Sequence, residues 1–362
     1  MKRKLLYTLA ALALAAAQPA EATTKWTLSG ALGTGGNAMT MTSDDDPALK
    51  ITDVRLTASG ATTLNIYGGK NFYDGCPEGS VDLDLTVPIY FGDDTTVQYS
   101  VAQLGNGTFS GNKQLRSVKL PSTLVSMEKE NFKGCTSLKS VDMSLATGLT
   151  TMGPQVFNGC SSLEGYFYFP AGITTLENNM FNSTKIEGFC GPGVTTIKND
   201  AFQSCKSLKS VELNSVETIE KQAFQKCSAL QSVRFGPNVT TFGERAFHED
   251  SSISAVMFEG DPPPSGKYFD QGGNHFIDFP KNGAVFYIPF NSAKNGPTEA
   301  WTAYADSWAA LKDGNAMTFP ALADGQWTDG SIINNIVSPS KTFVLRFWDP
   351  SDTSATAALL AY

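Results

Sequence analysis

Seven phenylalanines, Phe109, Phe132, Phe157, Phe181, Phe202, Phe224 and Phe247, recur 21 to 25 residues apart, each at the same distance behind an aliphatic-x-x-aliphatic pair. The pairs are Val101/Leu104, Leu124/Met127, Leu149/Met152, Ile173/Leu176, Val194/Ile197, Val216/Ile219 and Val239/Phe242. A second unit follows each Phe. Its fullest copies read Phe132, Cys135, Leu138, Val141, Met143 and Phe202, Cys205, Leu208, Val211, Leu213. The Phe181 copy is one residue short, reaching Ile186 and Phe189. Self-similarity at this period specifies a solenoid.

One such unit cannot cover its own apolar side chains. Ordering each backbone residue costs roughly 1–2 kcal/mol, and a large apolar side chain returns about 1.5–3 kcal/mol only when fully buried. Stacking of coils, each covering the next, is what closes the balance. Leu-x-x-Val-x-Leu, as in Leu208-Lys-Ser-Val211-Glu-Leu213, alternates at its end with period two and predicts the strand. Polar and Gly-rich pieces between Phe and Leu, such as Asn158-Gly159-Cys160-Ser161-Ser162, predict turns.

Ala201-Phe202-Gln-Ser-Cys205-Lys-Ser-Leu208-Lys-Ser-Val211-Glu-Leu213 and Phe235-Gly-Pro-Asn-Val239-Thr-Thr-Phe242 resemble the BspA-like leucine-rich repeats of bacterial surface and secreted proteins. The resemblance implies a leucine-rich-repeat solenoid with parallel strands on its concave face and turns on its convex side. It also implies adhesion or protein binding rather than catalysis.

The chain divides accordingly. Lys2-Arg3-Lys4, an apolar run from Leu5 to Ala17 and Ala20-Glu21-Ala22 predict a signal peptide over 1–22, cleaved after Ala22, and hence a secreted or cell-surface location. Residues 23–100 are expected to form an N-terminal β cap with a degenerate first coil around Tyr73, Cys76, Val81 and Leu83; a separate small β domain at 23–60 is the alternative. The array proper is placed at 101–260, ending before Pro262-Pro263-Pro264. A cap over 261–320 is expected to hold the strand Val285–Pro289 and a helix near 297–312, where Trp301, Tyr304, Trp308 and Leu311 recur at helical spacing. The tail, 321–362, has strand-like pieces ending in Trp348.

The full chain carries 27 basic and 35 acidic residues, and the mature chain a net charge of about −10. Nucleic acid and anionic membranes are therefore poor partners, and no later run is apolar over the roughly 18 residues a membrane helix requires. With two histidines, His248 and His275, a catalytic triad or histidine metal site is not expected, and no cofactor is. Asp44-Asp45-Asp46 lacks the ligand spacing of a calcium loop, and Gly33-Thr-Gly35-Gly36 lacks phosphate-loop spacing. Cys135, Cys160, Cys205 and Cys227 share one repeat position, which favours a buried stack of free thiols over bridging of neighbours.

The strand alternation predicts an outward column of Lys119, Asp142, Phe167, Cys190, Glu212, Arg234 and Met257, beside a column of Arg116, Lys139, Glu164, Glu187, Lys209, Gln231 and Ser254. Phe167, within Tyr166-Phe-Tyr-Phe169, is the expected anchor for a surface or extracellular protein partner. A carbohydrate-binding protein whose aromatic pairs, Trp327 and Trp348 among them, stack on sugar faces, or an envelope-structural protein, either without enzymatic activity, is the alternative.

Overall fold

The computed structural model describes residues 25–32, 39–47, 49–68 and 77–261, and the backbone of strands at 285–291, 296–297, 333–338 and 341–348. The expected signal peptide, Tyr73, Cys76, His275, Trp327, Gly33–Gly36 and the span 298–312 of the expected helix lie outside the described residues.

In chain order the first strands are β1 (Trp26–Ser29), β2 (Met39–Ser43), β3 (Lys50–Leu56), β4 (Thr63–Ile66), β5 (Val81–Asp84), β6 (Ile89–Phe91), β7 (Asp94–Leu104) and β8 (Leu115–Lys119). Next come β9 (Ser126–Met127), β10 (Ser140–Asp142), β11 (Thr151–Met152), β12 (Glu164–Tyr168), β13 (Thr175–Leu176), β14 (Lys185–Cys190), β15 (Thr196–Ile197) and β16 (Ser210–Leu213). The last are β17 (Thr218–Ile219), β18 (Ser232–Phe235), β19 (Thr241–Phe242), β20 (Ala255–Phe258), β21 (Val285–Asn291), β22 (Gly296–Pro297), β23 (Ile333–Ser338) and β24 (Lys341–Trp348).

The coils stack as parallel strands into a solenoid of about seven turns. The main ladder runs β5-β8-β10, β12-β14 and β16-β18-β20, all parallel. A second ladder, absent from the sequence expectation, is built from the ends of the aliphatic pairs: β7-β9-β11 and β13-β15-β17-β19, mostly two residues each. Two residues are too short a run for period-two patterning to register.

The third wall is the stack of Phe turns. All seven phenylalanines are fully or almost fully buried. Their rings form one column, with neighbouring centroids 5.0 to 5.6 Å apart and planes within 25° of parallel. Each Phe amide donates to the carbonyl of the residue before the next Phe, from Phe109 N to Asn131 O at 2.8 Å through Phe224 N to Ala246 O at 2.8 Å. The turn therefore carries its own inter-coil hydrogen-bond ladder. To aim those groups along the stack, the backbone enters the left-handed region two residues before and two after every Phe. The leading positions are Gly107, Glu130, Gln155, Asn179, Asp200, Gln222 and Arg245, and the trailing ones Gly111, Gly134, Gly159, Ser183, Ser204, Lys226 and Glu249.

The N-terminal segment is joined to the array through shared strands. Strands β1 to β4 form an antiparallel meander, β4 pairs with β7, β7 with β6 and β6 with β1. The pairings of these six strands thus close into a ring around Trp26, Leu28, Met39, Met41, Ile51, Ile66 and Ile89, all fully buried. Because β7 also pairs with β9, ring and array share one strand. Strand β5 extends the main ladder by one strand, setting Val81 against Leu115 and Leu83 against Val118. Trp26 Nε1 donates to Asp84 O at 2.9 Å and ties ring to ladder.

At the other end the main ladder continues beyond β20. Strand β20 pairs in parallel with β21, β21 with β24, and β24 closes an antiparallel hairpin with β23. Pro297, read from the sequence as the start of a helix, lies in β22 opposite Phe290.

Left-handed backbone costs a non-glycine residue roughly 1–2 kcal/mol, offset by the ~0.5–1 kcal/mol of chain entropy that glycine loses on folding. Ser204→Gly, at φ 61°, should therefore raise unfolding stability by up to about 1 kcal/mol, whereas Gly134→Ala, at φ 70°, should lower it. Denaturant midpoints at constant m-value read both.

Candidate functional site

The main-ladder face presents one side chain per coil between the two buried residues of each strand. Register fixes the column: Asp84 lies beside Lys119, Lys119 beside Asp142, Glu212 beside Arg234, and Arg234 beside Met257. Asp142, Cys190 and Glu212 are exposed, and Lys119, Arg234 and Met257 half-buried, on the outward side the alternation predicts.

Phe167 does not belong to this column. It is only 3% exposed, its ring meeting Phe157 at 5.2 Å and Phe181 at 4.9 Å edge-on. The residue beside Cys190 is Tyr168. The cause is one extra residue between Leu163 and the next inward position, absorbed where Gly165 takes φ +80°. The register then slips by one between Gly165 and Tyr166. Tyr166-Phe-Tyr-Phe169 is aromatic in both registers, so alternation alone cannot choose. The core takes the two phenylalanines, since a buried tyrosine hydroxyl needs a partner, and turns the tyrosines to water. The signal that could have found this is Gly165 itself.

Tyr166 and Tyr168 are 53% and 50% exposed. Tyr166 lies opposite Gly188 on the neighbouring strand, and a Cβ added there would stand 2.4 Å from Tyr166 Cε1. The ring is thus laid across bare backbone. Beside it Lys209 Nζ meets Glu187 at 2.7 Å, and that hydrogen bond, with the charges of Glu187 and Tyr166, raises the ammonium's pKa. Cys190 is exposed; partial burial, then the charge of Glu212, raises its thiol pKa.

Charges on the face are largely spent between coils. Lys119 Nζ reaches Asp84 at 3.4 Å, Arg116 grips Asp82 and Arg234 grips Glu259. Among the described residues Asp142 and Glu212 form no ion pair, although each lies beside a cation in register.

The remaining sequence candidates resolve as structure. Asp44 pairs with Lys25 at 2.8 Å and accepts from Thr27 at 2.7 Å; burial works against its charged form, but these two bonds outweigh it and hold the carboxyl low. Among the described residues no group of three or more His, Cys, Asp or Glu is placed to hold a metal, and no helix is long and apolar enough to cross a membrane. The thiols of Cys135, Cys160, Cys205 and Cys227 are free and buried, each donating to the carbonyl of the Phe one coil back, at 2.9 to 3.1 Å. Burial pushes Cys135 and Cys205 up to about 12. His248 ends a side-chain amide ladder from Asn182 through Gln203 and Gln225, the last contact 3.3 Å long.

A family model for the BspA type leucine rich repeat region matches residues 93–209 and 191–262, in six copies. No curated protein matches the chain significantly. Among solved structures it is similar to a leucine-rich-repeat protein of T. pallidum, at 22% identity over 55% of this chain and 86% of that one, TM-score 0.43. It is also similar to a leucine-rich-repeat protein of Bacteroides ovatus, at 16% identity over 66% and 71%, TM-score 0.46. The pneumococcal vaccine antigen PcpA matches at 13% identity over 74% and 96%, TM-score 0.26.

Two outcomes follow from the geometry. Phe167→Ala should cost about 3–5 kcal/mol as a core truncation, while Tyr168→Ser should stay within ~0.5 kcal/mol as a surface change; thermal melts compare them. In the native protein a thiol alkylator should modify Cys190 and spare the four buried cysteines until denaturant is added, as peptide mapping would reveal.

Proposed function

We propose that the protein, whose residues 93–262 match the BspA type leucine rich repeat model, is an exported, surface-associated binding protein, which takes a surface or extracellular protein on its main-ladder face and performs no reaction. The observation that carries this reading is the pair Tyr166 and Tyr168, half exposed in the middle of a face whose other outward residues are mostly polar. Aromatic side chains supply large contact area at small entropic cost and dominate interfaces where they occur. The stacked coils beneath them are fixed by three ladders, so the surface is pre-formed and little ordering is lost on binding.

Export is supported by the basic, apolar and small-residue sequence of the first 22 residues. A basic stretch, an apolar run and small residues at the cleavage position are the three parts of a secretory signal peptide.

The test is a panel of purified surface and extracellular proteins, run beside a glycan array, with the wild-type chain and the Tyr166→Ser/Tyr168→Ser variant. Protein hits weakened tenfold or more in the variant, at unchanged melting temperature, support the reading. Hits confined to glycans transfer the role to carbohydrate binding, and hits indifferent to the variant move the site off this face.

A further inference from the structure

We infer that the last Phe turn of the array is an acid-sensitive joint: His248 Nδ1 accepts from Gln225 while the imidazole is neutral and donates to Glu249 once it is protonated.

In the last four coils the residue after Phe is Asn182, Gln203, Gln225 and His248, and these side chains bond head to tail along the wall of Phe turns. Asn182 Nδ2 donates to Gln203 Oε1 at 3.0 Å, Gln203 Nε2 donates to Gln225 Oε1 at 2.9 Å, and Gln225 Nε2 faces His248 Nδ1 at 3.3 Å. A side-chain amide can be turned end for end, but this ladder has an anchor. Gln203 Nε2 also meets Asp200 Oδ1 at 2.7 Å, and an ionised carboxylate only accepts. That fixes Gln203. Gln225 must then show its oxygen to Gln203, and the same oxygen accepts from Gln222 Nε2 at 2.8 Å. Its nitrogen is left for His248, so the ladder can end only on a ring nitrogen that carries a lone pair.

The same nitrogen has a second neighbour with the opposite need. Glu249 Oε1 lies 3.2 Å from Nδ1 and requires a proton there. A donor and an acceptor converge on one ring atom, which cannot serve both. In the neutral ring Nδ1 accepts and the ladder is complete. In the protonated ring both nitrogens donate, so Nδ1 turns its N–H to Glu249 and the Gln225 amide loses its acceptor. Gln225 is 5% exposed, and little water reaches its amide; the imidazole and Glu249, at 36% and 51%, stand at the surface. Among the described residues, the charged groups around the ring come from two coils. On the coil before, Lys226 lies 3.8 Å from the same Glu249 oxygen and competes for it. On the ring's own turn Arg245 pairs with Glu244, and Asp250 accepts from Cys227 N at 2.6 Å.

The exchange of partners acts where two coils meet. Lys226 N donates to His248 O at 2.9 Å, and Phe224 N to Ala246 O at 2.8 Å, so coil six rests on the turn that carries the imidazole. Histidine is the side chain that ordinarily changes charge between about pH 8 and pH 5, and the other six Phe turns have none at this place. Mild acid therefore loosens this joint and leaves the remaining turns as they are.

Nuclear magnetic resonance on the 15N-labelled full chain tests this. At about pH 8 the His248 ring should carry its proton on Nε2; a ring protonated on Nδ1 at that pH overturns the inference. On acidification to about pH 5.5 the Gln225 side-chain amide signals should move, and the Lys226 backbone amide should lose protection about threefold or more after correction for intrinsic exchange. His248→Gln, which continues the ladder with another amide, should keep the melting temperature at high pH and lose both changes. The Nδ1 proton that forms in acid should exchange with water more slowly in the wild type than in Glu249→Gln; equal exchange removes Glu249 as the new partner and overturns the inference. Burial also raises the Asp200 pKa, with the charge of Lys221 opposing it, so an acid response that survives in His248→Gln belongs to another group and overturns the inference, as does a wild type that shows none.

Discussion

Every feature of this molecule depends on registration between neighbouring coils. The phenylalanine column makes the dependence visible, because ring stacking and the amide-to-carbonyl bond from the same residue act along one axis and both fail if a coil slips. Stacked aromatic pairs contribute about 0.5–1.5 kcal/mol each beyond area burial, and six such contacts run through the array. The thiol of each repeat-position cysteine adds a third constraint, reaching back to the carbonyl of the same phenylalanine one coil earlier. Where cysteine is missing, Asn112, Thr184 and Asp250 occupy the position and are buried. Two of these make plain bonds there: Asn112 Oδ1 accepts from Gln114 N and Leu115 N, and Asp250 Oδ1 accepts from Cys227 N. The position thus requires a small group that can satisfy turn polarity, and sulfur chemistry is incidental to it.

The same registration explains what was legible beforehand. A seven-fold return of Phe, of the aliphatic pair and of Leu-x-x-Val-x-Leu is a statement about stacking, so the solenoid and the outward positions of Lys119, Asp142, Cys190, Glu212, Arg234 and Met257 could be read from it. The failure fell where the repeat itself is irregular. Coil three is one residue long and coil four one short, and the chain reconciles them with a left-handed glycine and a slip in pairing. A pattern argument assumes constant phase, and here the phase changes inside four consecutive aromatics. The ring of the first segment was illegible for a different reason: its closure depends on which distant strands pair, β6 with β1 and with β7, and no local period encodes that.

Irregularity and the proposed site coincide. A regular array would present one ordinary side chain per coil, its charges cancelling against the next coil as most do here. The slip turns two tyrosines outward in place of one phenylalanine, next to a glycine that lets a ring lie flat. Backbone departures of this kind concentrate where a protein does something other than hold itself together.

Strand β7 has a consequence for how the molecule comes apart. A chain of stacked modules normally frays from its free ends inward, since a terminal module has one neighbour instead of two. Here the first module borrows a strand from a closed β ring that is continuous with the second ladder, so peeling it away means breaking ring and ladder in the same event. Loss of order is thereby given a direction. The coils nearest the ring, held from both sides, would be the slowest to lose their shape.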